Sequence, residues 1–372
     1  MRNFLKLVLF LAIFLVIITG PSDERQNLHY DGSYLYEEIT PTPTRVPEKE
    51  PVIYTRKEIK YKGLRQVLHI LELDLSNPSL KVFPVLSRNG IFGFEFLSDI
   101  DERYEATATV NAGFNFAYGQ PSGLVVQDGR LLSSSRGYGR ILLINNRKAR
   151  FVSPPFKVWI DTGDEKIPVD SVNPYPYEKG IVVYTPEYGP TNRVDTEYTV
   201  CVVRNNTVQS TGIVSGEMEI PDDGFLVVDL RTENSALLNL FRGQKAELSL
   251  QEQAEQGYQC SGALVEDGKN VAKDMDEWAG NLNVPTPRTA VGIKDENTLV
   301  FLVVDGRQPG YSEGVTGKQL ADILISLGVK EAALLDGGAS SEMIYKGEVV
   351  NRPSTGKERL LASAFVIKYN PN

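Results

Sequence analysis

Hydrophobic and polar positions along the chain fall into short alternating runs. Residues 67–75 read VLHILELDL, which sets Val67, His69, Leu71 and Leu73 on one side of an extended segment. A period of two predicts a half-buried strand. Other apolar runs close on a turn pair: 124–126 before Asp128-Gly129, 263–265 before Asp267-Gly268, and 343–345 before Lys346-Gly347. Such pairs accept the positive φ of tight turns, so these runs predict hairpins. Helical spacing is rarer. Over residues 317–327, Leu320, Ile323, Leu324 and Leu327 form one apolar stripe, Thr316 and Gln319 make a capping box, and Gly328 supplies the stop. A second helix is expected over residues 233–241. Strands far outnumber helices, so the fold class is α+β, with mixed β-sheets and few helices in a single large domain.

The amino-terminal end breaks this texture. Arg2 and Lys6 precede an uncharged run, residues 7–19, which ends at Gly20-Pro21. That layout makes residues 1–20 a cleaved secretory signal or an uncleaved membrane anchor. As a helix the run reaches only about 20 Å, short of a bilayer's hydrocarbon core unless Lys6 snorkels. Either outcome makes the rest extracytoplasmic, secreted or held through a membrane tether at residues 4–20. Residues 21–53 are polar and punctuated by Pro41, Pro43, Pro47 and Pro51. Such a stretch buries too little to fold and reads as a disordered tether. Residues 54–370 remain for the folded domain.

Composition narrows the chemistry. A chain of 372 residues, 41% hydrophobic, has ample material for a core. A formal charge of −9 argues against a nucleic-acid partner, which requires a basic face. Two cysteines, Cys201 and Cys260, build neither a zinc finger nor a disulfide scaffold. They either pair or lie as buried thiols, and their apolar neighbours favour thiols. With His29 in the tether and His69 on a strand, histidine chemistry has little to draw on, and no cofactor is expected.

The informative positions are strand ends. Residues 105–110 run into Asn111-Ala112-Gly113-Phe114, 298–304 into Asp305-Gly306-Arg307, and 331–335 into Asp336-Gly337-Gly338-Ala339-Ser340-Ser341. An acid at the end of a buried strand is costly unless it is paired or used. Following glycines allow backbone amides to aim at an anion. A single Asp-Gly is also an ordinary turn, and Asp128 and Asp267 read that way. Two converging carboxylates suit glycoside hydrolysis. Arg288, approached through Pro285 and Pro287, suits a guanidinium aimed at a carboxylate or phosphate, or a surface ion pair. Asn351-Arg352-Pro353-Ser354 and Arg359 form a further polar loop. Trp278 and the Pro174-Tyr175-Pro176-Tyr177 loop are candidate sugar platforms, with plain packing the alternative.

In order, these pieces resemble the phosphodiester glycosidase family. Asn111-Ala112-Gly113-Phe114 stands where the family has Asn-Gly-Gly-Phe, followed by Pro121-Ser122-Gly123 and the 260–271 hairpin. Pro287-Arg288-Thr289-Ala290-Val291-Gly292 is similar to Arg-Thr-Ala-Ile-Gly, and Val304-Asp305-Gly306-Arg307 follows. Leu335 to Ser341 resembles Leu-Asp-Gly-Gly-Gly-Ser-Ser, and Asn351 to Ser354 closes a series covering roughly residues 67–369. Ala112 and Ala339 replace glycines, so a positive φ at either would be strained, and Glu342 stands where threonine or alanine is usual. The resemblance implies cleavage of a sugar C1–O bond whose leaving group is a phosphate ester; taken together with the expected export, it points to a phosphodiester-linked glycan of the cell envelope or an exopolysaccharide. It implies that Asp336 or Asp305 attacks or activates water. Arg288, with Gly337, Gly338, Ser340 and Ser341, would hold phosphate and Asn111 the sugar, with Arg307, Asn351 and Arg352 as further substrate contacts. Two rival readings stand beside it. One is a catalytically silent, membrane-tethered glycan-binding or envelope-assembly module. The other is a metal-dependent phosphodiesterase with Asp305, Asp336 and Glu342 as oxygen ligands.

Overall fold

The computed structural model describes residues 50–61, 63–231 and 234–371. The expected signal or anchor, and the tether up to residue 49, lie outside the described residues. Among the described residues no helix is long and apolar enough to cross a membrane. The first strand begins at Val52.

Two antiparallel sheets share one core. The larger orders seven strands: Val52–Tyr61, Leu64–Asp74, Thr298–Val304, Arg288–Asp295, Glu331–Leu334, Ala263–Glu266 and Lys269–Asn270. The smaller orders Glu348–Val349, Met343–Tyr345, Ala108–Asn111, Ser363–Tyr369 and Leu80–Leu86. Alternation decides which side chains meet between them. From Thr298–Val304, Leu299, Phe301 and Val303 enter the shared core with Val110, Met343, Phe365 and Ile367. The intervening Val300, Leu302 and Val304 pack outward against Leu320, Ala321, Ile323 and Leu324 of the helix Gly317–Ser326. The predicted capping box is present, with Thr316 Oγ1 accepting from the Gln319 amide at 3.2 Å and Gln319 Oε1 from the Thr316 amide at 2.9 Å.

That helix explains one departure from the pattern. Residues 67–71 are buried on both faces, not half-buried, because the helix covers Leu68 and Ile70 while Leu71 faces the inter-sheet core. The smaller sheet is covered in the same way by the helix Leu97–Tyr104, whose Leu97 and Ile100 pack on Val85, Ile344, Ala364 and Val366. Of the helix expected over 233–241, the described residues 234–241 hold a single 3-10 turn, Ala236–Asn239, capped by Ser235 accepting from the Leu237 amide. Leu237 and Leu240 are its buried residues, and their spacing of three suits one tight turn rather than a longer stripe.

A further sheet, Ser171–Val172, Ile181–Tyr184, Gly224–Asp229, Glu197–Arg204 and Thr207–Ser215, opens with a parallel pair, so the β-structure is mixed. The predicted hairpin turns hold, with positive φ at Asp128 and Gly129, Asp267 and Gly268, and Lys346 and Gly347. Cys201 and Cys260 are free buried thiols. Burial pushes Cys201 up to about 12 and Cys260 upward as well, which makes both inert.

Phe301 is fully buried, its ring 4.9 Å from that of Phe365 across the two sheets. Phe301→Ala is expected to lower stability by about 3–5 kcal/mol in urea unfolding; a loss below ~1 kcal/mol would contradict a core shared by the two sheets.

Candidate active site

Strand register brings the polar strand ends together. Arg288 pairs with Val304 on one side, so Asp305 follows directly beside it. On the other side the Leu335 amide donates to Thr289 O, and the Asp336 amide reaches Ala112 O of the smaller sheet. The backbones of Asp305, Arg288, Asp336 and Asn111 therefore lie at neighbouring strand ends, with the Arg288 side chain on the helix-covered face that Val304 shares.

Their hydrogen bonds separate the supports from the groups left available. Asn111 is buried, and its side chain joins the sheets. Nδ2 donates to Asp336 O at 2.7 Å, while Oδ1 accepts from Thr289 Oγ1 at 2.8 Å and the Glu342 amide at 3.0 Å. The expected sugar contact is thus a structural joint. Asp305 is fully buried and equally engaged. Oδ2 meets His69 Nε2 at 3.1 Å and accepts from the Tyr311 hydroxyl at 3.2 Å, and Oδ1 accepts from Asn351 Nδ2 at 3.2 Å. The Arg352 amide donates to both oxygens. Behind His69, Nδ1 meets the Tyr54 hydroxyl at 2.9 Å. Four partners leave Asp305 no route to a substrate; it anchors the 351–354 loop. Asn351 does the same, donating to Ser341 O and accepting from the Met343 amide. The Arg352 side chain is exposed and lies over the Tyr311 ring at 5.0 Å.

Asp336 is different. Its carboxylate accepts from the Ser340 hydroxyl and the Gly337 amide and feels the charge of Arg359, yet burial outweighs all three and pushes the carboxyl above its usual range. The Gly338 amide is spent on Pro287 O at 2.8 Å. The two glycine amides expected to hold phosphate are therefore occupied, one by Asp336 and one by the backbone. The glycines serve close approach instead. Gly338 has φ of 61°, and a Cβ there would lie 3.2 Å from an Arg307 guanidinium nitrogen. Neither Ala112 nor Ala339 adopts a positive φ, so the two replacements are unstrained.

Arg288 is the group without a counter-charge. It is 5% exposed, and its guanidinium donates to the carbonyls of Val315 at 3.2 Å and Val284 at 3.1 Å. Among the described residues no carboxylate pairs with it. Burial first, and the neighbouring charge of Arg307 second, push it down to about 10, with Asp276 pulling the other way. Asp276 itself caps a loop, accepting from the Trp278 and Ala279 amides and from the Tyr138 hydroxyl. The Trp278 ring lies 6.0 Å from Phe114 and 5.8 Å from Tyr138.

Sequence reasoning gave Glu342 too small a part. It is 1% exposed, bonded to Glu358 and reached by the Arg359 amide, while Oε1 has no partner. Burial first and Glu358 second push it up to about 8. Ser341 and Ser354 also carry unpartnered buried hydroxyls. The metal reading finds no support in this geometry: Asp305 faces His69 and Asn351, Glu342 faces Glu358, and no group of three His, Cys, Asp or Glu suited to a metal occurs among the described residues.

Residues 196–368 match the family model described as phosphodiester glycosidase. That match covers a little under half of the chain and bears out the resemblance drawn from its motifs. The matched stretch holds Arg288, Asp305, Arg307, Asp336 and the 351–354 loop, but not Asn111. The chain is also similar to YomE, an SPbeta prophage-derived uncharacterized protein of Bacillus subtilis, at 40% identity over 106 residues, 28% of this chain and 16% of the relative. Among solved structures it resembles a hypothetical protein from Synechocystis, with a TM-score of 0.71 at 21% identity over 86% of this chain and 62% of the other. A candidate exported protein from Burkholderia pseudomallei gives 0.62 at 21% identity over 82% and 74%. These two likenesses establish the fold. The chain spans a small part of the length of YomE and under two thirds of the Synechocystis protein.

A carboxyl raised on folding holds its proton more tightly in the native state. The stability Glu342 contributes is full below its unfolded value of 4.5 and falls as pH rises towards 8. Glu342→Gln is expected to melt within ~1 °C of the parent at pH 5 and at least ~3 °C above it at pH 9. The same difference at both pH values would refute the assignment.

Proposed function

We propose that this chain is an exported glycosidase that hydrolyses a sugar-1-phosphodiester bond in cell-envelope or exopolysaccharide glycans. The observation that carries the reading is Arg288: a buried guanidinium that no acid pairs with among the described residues, next to the charge of a second guanidinium, Arg307. A phosphodiester anion supplies the missing charge, and planar guanidinium groups suit its oxygens. Export rests on the charged flank and apolar run at residues 2–21, and on the description of the Burkholderia relative as an exported protein.

The reaction needs a single mobile proton. Water attacks C1 and gives its proton to Asp336, while the C1–O bond breaks and its electron pair leaves on the phosphate ester. Arg288 and Arg307 stabilise the negative charge that grows there. A phosphate leaving group requires little protonation, which suits a site where one acid, Asp336, is held only by the Ser340 hydroxyl and the Gly337 amide and the other, Asp305, is locked into the scaffold. In this scheme Ser340 and Gly337 orient Asp336, and its burial raises its basicity towards the range useful for proton transfer.

Sugar release from a panel of methyl sugar-1-phosphate diesters tests the scheme. Asp336→Asn is expected to lower kcat at least ~100-fold with little change in KM. Turnover retained within ~10-fold would remove Asp336 from the chemistry. The engaged Asp305 favours one second reading, the silent glycan-binding module, which predicts binding of these diesters by the parent protein without release of sugar.

A further inference from the structure

A strip of aromatic side chains leads away from this site. It begins with Phe114, Trp278 and Tyr138, whose rings touch beside the loop that Asp276 holds near Arg288. It continues along 114–118 into Phe116, 45% exposed, and Tyr118, 66% exposed. It ends on a second loop, where Tyr175 is 41% and Tyr177 37% exposed. The two loops form one surface. Tyr118 and Tyr175 meet edge to face at 5.9 Å, and Gln120 Nε2 donates to Tyr175 O at 2.8 Å. Arg136 lies over Phe116 at 5.6 Å and pairs with Glu178 at 3.0 Å. Phe116 is five residues from Asn111, so it stands within about 18 Å of the sheet junction.

The exposed rings are held rigidly. Tyr118 adopts φ of 66°, a conformation unusual for a tyrosine, and the Gly93 amide fixes its carbonyl at 2.8 Å. Next to it Gly119 packs so closely that a Cβ would lie 2.2 Å from Gly93 O. Tyr175 is backed by Phe92 at 5.6 Å, and the Tyr177 hydroxyl donates to Asp195 at 3.1 Å. Backbone strain that holds an exposed ring in place is the kind found at binding sites. A pre-positioned ring loses little freedom when a ligand arrives.

The composition of the strip selects the ligand. The rings fall into small contacting groups interspersed with Arg136, Glu178 and Asp195, rather than merging into the continuous apolar patch that protein docking requires. Sugar rings present an apolar face of C–H groups and a rim of hydroxyls, which matches small aromatic faces with polar groups between them. We infer that the strip binds successive sugar units of a glycan chain and so makes the preferred substrate of the proposed site a polymer. The inference rests on the proposed reaction for its polarity along the chain, but not for the binding itself.

Affinity electrophoresis and calorimetry of the full chain, using a polymer of N-acetylhexosamine-1-phosphate repeats, test it. The methyl diester of one repeat serves as comparison. The double variant Phe116→Ala/Tyr118→Ala removes two exposed rings and should fold as the parent does, which its melting temperature reports. Its affinity for the polymer is expected to fall roughly tenfold or more, with the single repeat unchanged within ~2-fold. The inference is overturned if the parent does not bind the polymer, if the variant binds it as well as the parent, or if both ligands weaken equally. Absence of sugar release from either ligand would count against the proposed reaction alone, since polymer binding is read without turnover.

Discussion

Polar strand ends brought between two sheets must satisfy one another wherever packing shields them from solvent. That constraint organises this end of the molecule. Asn111 closes the gap between the sheets with bonds to Asp336, Thr289 and Glu342, and Asp305 gathers His69, Tyr311, Asn351 and Arg352. Against this background the incomplete groups stand out. Among the described residues Arg288 is buried with carbonyl partners and no acid, and Glu342, Ser341 and Ser354 each keep an unpartnered buried oxygen. At this end of the molecule the unmet electrostatic demand falls on Arg288 and Glu342.

Local signals carried much of the fold. Paired positive-φ turns, the Thr316–Gln319 box and the alternation in 298–304 each depend on residues close in sequence, so the sequence displays them directly. Long-range partners did not show. That residues 67–71 are buried on both faces depends on a helix some 250 residues away, at Gly317–Ser326. The helix Leu97–Tyr104 was missed because neither end carries a side-chain cap: Phe96 precedes it, and Glu105 takes the left-handed conformation usually left to glycine.

The same limit governed the site. Residue types at the strand ends marked the right neighbourhood, and register placed Asp305, Arg288 and Asp336 side by side. Which acid is free was not legible, because Asp305 is closed off by His69, 236 positions earlier in the chain. The Gly-Gly pair suggested free amides, whereas Asp336 and Pro287 already take them. Glu342 differed from the family pattern in sequence, but its burial against Glu358 emerges only when the 351–361 segment folds back over it. The family match begins at residue 196, so it takes in the arginines and acids while leaving Phe116, Tyr118, Tyr175 and Tyr177 outside.

Calorimetric titration with N-acetylglucosamine-1-phosphate, for the parent and for Arg288→Met, addresses the unpaired guanidinium directly. The account predicts binding that weakens with added salt, and at least ~10-fold lower affinity once the buried charge is removed. Equal affinity for the two proteins, or binding indifferent to salt, would show that Arg288 holds no anion and would contradict the account at its centre.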